Sequence, residues 1–306
     1  MTGPAVGTAL RTGLKFQVGA RTLAAVPRRL VRVALSLDDV LDGVTPVLPP
    51  LPEGSDGYLV TSLSVDRMAS FAAPGLLRFV RQDYVRYHTD LRIGVAAWRA
   101  GLSGSARSGL KRKAKRVAAA SGGALDIRAY RTPAEIAAFH SLARGVSAAT
   151  YQERLLGAGL PDGVDALARF AALAAEDRVR AWLLFLHGAP IAYLCCTAEG
   201  ESLRYDHVGH DPAHNDLSPG AVLHDGAMEA LFADRFARFD FTEGEGQHKR
   251  QFATAGTPCV DLLLLRPTPA NYALIAALGA FDRATAWAKT TLSHPRLARL
   301  ARTIRR

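Results

Sequence analysis

Residues 202–252 read SLRYDHVGHDPAHNDLSPGAVLHDGAMEALFADRFARFDFTEGEGQHKRQF. Apolar–polar alternation predicts one strand over Leu203–Val208 and a second over Ala237–Thr242. Between them, Leu217-Ser218-Pro219-Gly220 opens a helix that runs to about Asp234. After the second strand come a glycine loop, Glu243-Gly244-Glu245-Gly246, and a short basic helix from Gln247-His248-Lys249-Arg250. Ser218 is a natural N-cap, Pro219 suits the first helical turn and Gly220 leaves the backbone bare. Free N–H groups and the helix dipole at such a start suit a phosphate. The same three residues also describe a well-capped amphipathic helix that binds nothing. Polar groups gather at the carboxyl ends of both strands, where open α/β sheets hold ligands.

Outward from this stretch, 306 residues with 49% hydrophobic side chains allow two domains or one large one. The formal net charge of +10 favours an anionic partner. The charge is uneven: no acid occurs from Leu91 to Leu125, where Arg107, Lys111, Arg112, Lys113, Lys115 and Arg116 cluster, and none follows Asp282. A solvated face explains either run equally well. Cys195 and Cys196 are neighbours in a strand, so they point to opposite faces and do not pair. With Cys259 they are expected to be reduced. The first residues lack the apolar core of a signal peptide, and no window approaches 18 apolar residues without charge. The expected location is the cytoplasm, with peripheral attachment at the inner membrane open to the basic tail.

Earlier in the chain, strands are predicted over Leu14–Val18, Arg21–Val26, Leu30–Leu37, Tyr58–Leu63 and Phe79–Ile93, with Gly19-Ala20 as a turn. Helices are predicted over Ser64–Ala73, Val95–Leu102 and Ser105–Ala120. Ser121-Gly122-Gly123 ends the last of these and marks a domain boundary. Then come a strand at Ala124–Tyr130, a helix capped by Thr132 from Pro133 to about Leu156, and another at Asp162–Glu176. A hairpin, Arg178–His187 with Pro190–Thr197, turns at Gly188-Ala189. Cys259–Leu265 is a last strand, and Asn271–Leu292 and Pro295–Arg305 are closing helices.

This order resembles the GNAT N-acetyltransferase fold over roughly Ala124 to Pro267. The finer resemblance is to the branch with CelD-type and Fem-type acyltransferases. It rests on Tyr205 with Gly209-His210-Asp211-Pro212, Leu217-Ser218-Pro219-Gly220, Phe239-Asp240-Phe241, Gly244, His248-Lys249-Arg250-Gln251-Phe252, and the basic run from Ser105 to Lys113. The resemblance implies an α/β (α+β) fold with a mixed, splayed central sheet, preceded by a degenerate GNAT-like half. The corresponding domains are 1–122, 123–267 and a basic C-terminal pair of helices over 268–306. One departure is visible. The usual pyrophosphate loop, Q/R-x-x-G-x-G/A, is reduced to Ser-Pro-Gly-Ala at the helix start.

The resemblance also implies the chemistry, transfer of an acyl group from acetyl-CoA or another acyl-CoA to an amine. A sugar or a lipid-linked cell-envelope precursor is the expected acceptor. Ser218, Pro219, Gly220 and Ala221 would hold the donor. Glu243 would take a proton from the amine, and Tyr205 would protonate the thiolate or contact the acyl carbonyl. Lys249 would hold a phosphate, an acceptor carboxylate or the oxyanion. Tyr151, Gln152 and His248 would face the acceptor. Fem-type relatives use aminoacyl-tRNA as donor, which is the alternative, together with a non-catalytic protein that binds nucleic acid or anionic lipid. Glu243 and Tyr205 also read as a surface carboxylate and a packing aromatic. No metal is expected, because His207, His210 and His214 match no usual zinc spacing. Gly104 to Lys111 has Leu110 where a P-loop needs lysine, and the chain has no Gly-x-Ser-x-Gly.

Overall fold

The computed structural model describes residues 8–18, 21–150, 153, 159–244 and 246–292. In chain order the first elements are β1 (Ala9–Val18), β2 (Arg21–Ala34), α1 (Leu37–Leu41), β3 (Gly57–Ser64), α2 (Val65–Met68) and β4 (Leu77–Asp90). Then follow α3 (Val95–Gly101), α4 (Gly104–Ala120), β5 (Asp126–Tyr130), α5 (Pro133–Ala149) and α6 (Val164–Ala175). The site-bearing half is β6 (Val179–Leu186), β7 (Ala189–Glu199), β8 (Ser202–His210), α7 (Pro219–Leu231), β9 (Arg238–Asp240) and α8 (Gln247–Phe252). β10 (Ala255–Leu265) and α9 (Pro269–Leu292) close the described chain. The expected helix over Pro295–Arg305 lies outside the described residues, as does the turn at Gly19-Ala20.

Contacts divide the chain into two compact units. One is Met1–Leu35, Asp42–Asp83 and Cys259–Arg306, and the other is Ser36–Leu41 with Tyr84–Pro258. Gly122 and Gly123, both at positive φ, close α4 inside the second unit. In the first unit the strands run β1-β2-β3-β10, with β2 and β3 parallel and the other pairs antiparallel. Leu14, Leu30, Leu263, Leu265, Leu274 and Leu278 form its core. Here the two strands expected over 21–37 are one, because Pro27 falls where β2 has only β1 beside it; β3 pairs from Leu30 onward. The helix expected over Ser64–Ala73 is the single turn of α2. The Arg78 guanidinium takes the carbonyls of Met68 at 2.6 Å and Phe71 at 3.2 Å, which ends it.

In the second unit the order is β4-β9-β8-β7-β6-β5, mixed because β8 and β9 are parallel. Every residue of β6, VRAWLLFL, is buried, as expected of a strand covered on both faces. The hairpin turns at His187-Gly188, φ 51° and 80°, one residue earlier than expected, since the tight primed turn needs two positive φ values. α5 starts with a full capping box, Thr132 with Glu135, and continues through Gly145 to Ala149. α3, α4, α7 and α8 cover one face, with Trp98, Leu110, Val117, Leu223, Phe239 and Phe252 in that core. α5 and α6 cover the other, with Ile136, Phe139, Phe170 and Tyr193. Cys195 belongs to the second core and Cys196 to the first, so the pair straddles the sheet, and none of the three cysteines is in a disulfide among the described residues.

Arg86 on β4 and Asp240 at the end of β9 form an ion pair of 2.6 Å, both side chains wholly buried. Removing one partner strands the other charge in the core. Asp240→Ala is expected to destabilise the chain by about 3–5 kcal/mol. Urea unfolding of the variant checks this, and a loss below about 1 kcal/mol would show that water reaches Arg86.

Candidate active site

The site is built where β8 and β9 part. They pair in parallel only at Ser202↔Arg238, Leu203↔Phe239 and Arg204↔Asp240. At the closed end Asp38 accepts hydrogen bonds from Ser202 Oγ at 2.8 Å and from Arg238 at 2.7 Å, tying both strand starts together. Beyond Arg204, β8 runs on to His210 while β9 stops, so the strand expected over Ala237–Thr242 shrinks to three residues. Asp240 Oδ1 accepts from the Thr242 N–H at 2.8 Å, and Thr242 sits at φ 60°, a left-handed conformation costly for a β-branched residue.

A bulge in β8 sets which side chains meet. The register against β7 shifts between Cys195 and Cys196, which oppose His207 and Tyr205 respectively, so Asp206 is the extra residue. Asp206 anchors the bulge by accepting from the Thr197 N–H at 3.0 Å, the Thr197 hydroxyl and Arg204 Nε at 3.2 Å. In a regular strand residues 205 and 207 share a face. Here Tyr205 and Val208 join the core under α7, while His207 sets its ring edge-on to Phe170 of α6 at 5.9 Å.

On the α7 side lies a cavity of about 390 Å³ with Tyr205, His210, Gly220, Ala221, His224 and His248 in its wall. Tyr205 packs among His224 at 5.3 Å, Phe239 at 5.9 Å and His248 at 5.9 Å. Burial pushes its hydroxyl pKa up, so it keeps its proton and serves as a hydrogen-bond donor. His224 is pushed down to about 3, by burial first and the charge of His248 second, and stays neutral. Lys113 of α4 completes the wall, half-buried and without an ion pair among the described residues.

The helix start differs from the expected one. Ser218 is left-handed, φ 54° and ψ 51°, and its side chain makes no capping bond. Pro219 has no N–H, and those of Ala221 and Val222 donate to the Ser218 carbonyl at 3.1 and 3.4 Å. Only the Gly220 N–H remains for an anion in this first turn. Of the four residues assigned to the donor, Gly220 and Ala221 reach the cavity, whereas Ser218 and Pro219 are not in its wall. Pro219 is buried in the helix packing.

Lys249 is not a surface cation. It is 8% exposed, and its ammonium donates to the carbonyls of Glu243 at 2.6 Å and Thr242 at 3.5 Å, ordering the loop after β9. The Glu243 carboxylate is outside the cavity wall, and its charge acts on Arg86 and Arg204. Tyr151 and Gln152 lie outside the described residues. The histidines of the loop disperse. His207 faces Phe170, and His210 Nε2 pairs with Asn215 Oδ1 at 2.7 Å. Among the described residues no three His, Cys, Asp or Glu side chains are grouped to hold a metal ion. Lys113, His210, His224 and Gln251 were given no role at the site by sequence, although His210 and Gln251 fall in the matching motifs and Lys113 in the basic run. His224 had a signal, lying one helical turn after Gly220, whereas nothing local marks Lys113 within its basic run.

The family model described as Acetyltransferase (GNAT) domain matches residues 104–250. The chain carries a GNAT acetyltransferase domain. That domain starts with α4, the helix that supplies Lys113. Among solved structures, FemX is similar at TM-score 0.52 and 10% identity, covering 88% of this chain and 90% of that one. L-PGS from Bacillus licheniformis gives 0.50 and 13%, covering 74% and 73%. At such identities the likeness is one of fold. No curated protein sequence matches the chain. No helix among the described residues is long and apolar enough to cross a membrane.

Neutral His224 makes the GNAT domain acid-sensitive. Its folded pKa lies below the ordinary 6.5, so its contribution is complete above pH 6.5 and is lost as pH falls toward about 3. His224→Phe is expected to flatten the decline of unfolding free energy between pH 6.5 and 4 by about 1.4 kcal/mol per pH unit. An unchanged slope in urea titrations would mean that the ring already carries its proton in the folded chain.

Proposed function

We propose that the protein transfers an acyl group from acyl-CoA to an amine. The observation that carries this reading is the cavity at the parting of β8 and β9, which has a protonated Tyr205 at one part of its wall. Lys113 and Gly220 stand elsewhere in the same wall, and in this reading the ammonium and the Gly220 N–H make an anion cradle. The pyrophosphate of the donor suits that cradle, with the positive charge coming from α4 in place of a longer glycine loop. The thioester then lies toward Tyr205. The amine nitrogen bonds to the carbonyl carbon, the C–S bond breaks, the surplus amine proton passes to the Glu243 carboxylate and the thiolate takes a proton from water. Tyr205 steadies the oxyanion that forms in between. Glu243 follows β9 outside the cavity wall, and its charge reaches Arg204 and Arg86. Lys249 serves by holding the loop that carries Glu243.

A specific observation favours a second reading. Lys111, Arg112 and Lys115 stand exposed on α4 beside the cavity, without an acid on the helix and without an ion pair among the described residues. Such a face suits a donor carried on RNA, as an aminoacyl ester, and the ester would use the same Tyr205 wall.

Calorimetric titration with acetyl-CoA and a longer acyl-CoA separates the two. Saturable binding is expected, weakened about tenfold or more by Lys113→Ala, since a charge-assisted phosphate contact contributes roughly 1.5–3 kcal/mol. No binding of either thioester, with binding of aminoacyl-tRNA instead, would move the donor to the second reading. With a thioester donor in hand, Tyr205→Phe is expected to lower kcat by about 10²-fold and leave donor affinity in place. Glu243→Gln is expected to lower kcat less as pH rises and the amine loses its proton unaided. Wild-type turnover in both variants would place the chemistry on other groups.

A further inference from the structure

The face of β8 away from the donor cavity carries a second cavity, of about 370 Å³, walled by α6, the end of β7 and the start of β8. Its charged groups are Arg169, Arg178, Arg204, Glu199 and Asp206. The two acids are committed inside the protein. Asp206 holds the bulge, and Glu199 pairs with Arg204 at 3.2 Å. Arg204 is thereby neutralised twice over. Arg178 donates to the Ala198 carbonyl at 3.2 Å and pairs at 3.0 Å with Glu176, which is not in the cavity wall. Arg169 has no ion pair or hydrogen bond among the described residues; its guanidinium lies over the Phe170 ring at 5.5 Å, held by stacking and open to water.

Three guanidinium groups therefore face two carboxylates, and the uncommitted charge is positive. A cation entering here meets a net repulsion, whereas a planar or tetrahedral oxyanion finds the fork of Arg169 open to it. His207 in the same wall is kept neutral, by burial first, against the pull of Asp206, and adds no competing charge. The position of the cavity gives it a use. Arg204 is the last residue of β8 to pair with β9, so the cavity lies where the two strands begin to part. The charge of Glu243, which follows β9 in the chain, reaches the same Arg204.

We propose that this cavity is an anion subsite for the acceptor: a carboxylate or phosphate on the acceptor sits against Arg169 and Arg178, and its amine points into the β8–β9 gap. The word acceptor rests on the acyl-transfer reading; anion binding does not. The bulge at Asp206 is what separates the two subsites, since it turns Tyr205 to the donor and His207 to the anion. An acceptor so bound approaches the thioester from the face opposite the donor, and the sheet itself keeps the two ligands apart except at the gap.

The test uses the full chain and reads the His207 ring resonances by NMR during titration with inorganic phosphate, acetate, ethanolamine and phosphoethanolamine. Phosphate and phosphoethanolamine are expected to shift His207 saturably, phosphoethanolamine binding at least tenfold more tightly than ethanolamine. Arg169→Ala is expected to remove that difference and Arg169→Lys to restore part of it. Acetate shifting His207 as phosphate does would assign the shared oxyanion chemistry, and phosphate alone would narrow the site to phosphate. No saturable shift in the wild type, or equal binding by wild type and Arg169→Ala, overturns the subsite. Failure of acyl-CoA to bind in the calorimetric experiment would remove the acyl-transfer reading and leave these anion affinities standing.

Discussion

The parting of β8 from β9 depends on a charge buried where the sheet comes apart. Arg86 and Asp240 pair without any exposure, and the same Asp240 carboxylate holds the Thr242 N–H. β9 is thus fastened at its last residue and turned aside at once, through a left-handed threonine. Had β9 kept pace with β8, ladder hydrogen bonds would close the gap and leave no cavity. The arrangement is costly to assemble, since both ions leave water, and it holds because geometry and extra hydrogen bonds compensate for desolvation. Asp38 does the complementary job at the other end, where Ser202 and Arg238 must stay together.

The second constraint is the bulge in β8. A regular strand offers one set of side chains to each face, and Tyr205 would share its face with His207. One extra residue shifts the alternation, so Tyr205 and Val208 turn to α7 and His207 turns to α6. Asp206, the residue that makes the shift, is also the one whose carboxylate stabilises it. Gly209 continues the same close packing. A Cβ there would lie 2.5 Å from the Tyr193 ring and 2.9 Å from Thr150, so α5 and β7 approach β8 only because the side chain is absent. The two hydrophobic cores meet across this strand and its neighbour, with Cys195 in one and Cys196 in the other.

Charge at the site comes from parts of the chain far from the loop that a phosphate would touch. The shortened loop before α7 folds as a 3₁₀ turn, Pro212–Leu217, and delivers a single free N–H at Gly220. Lys113, about a hundred residues earlier, stands in the same wall. Lys249, which lies close in sequence to the glycines, is instead turned inward to hold the carbonyls of Thr242 and Glu243.

Much of this architecture was legible in local pattern. The apolar run 179–186, the Thr132–Glu135 capping box, the opposed cysteines and the strand–helix–strand stretch around Ser218-Pro219-Gly220 each depend on residues a few positions apart, where periodicity and capping chemistry act directly. The motifs from Tyr205 to Phe252 pointed to the GNAT domain for the same reason. What the sequence left open involves partners remote in the chain. The bulge needs Thr197 opposite Asp206, the early end of β9 needs Arg86 beside Asp240, and the left-handed Ser218 follows from the turn before it rather than from its own propensity. Lys249, expected to meet a ligand, donates to backbone carbonyls, because burial, and not proximity to a glycine loop, decides what an ammonium faces. Local chemistry determined which elements form; long-range packing decided which of their side chains face the same space.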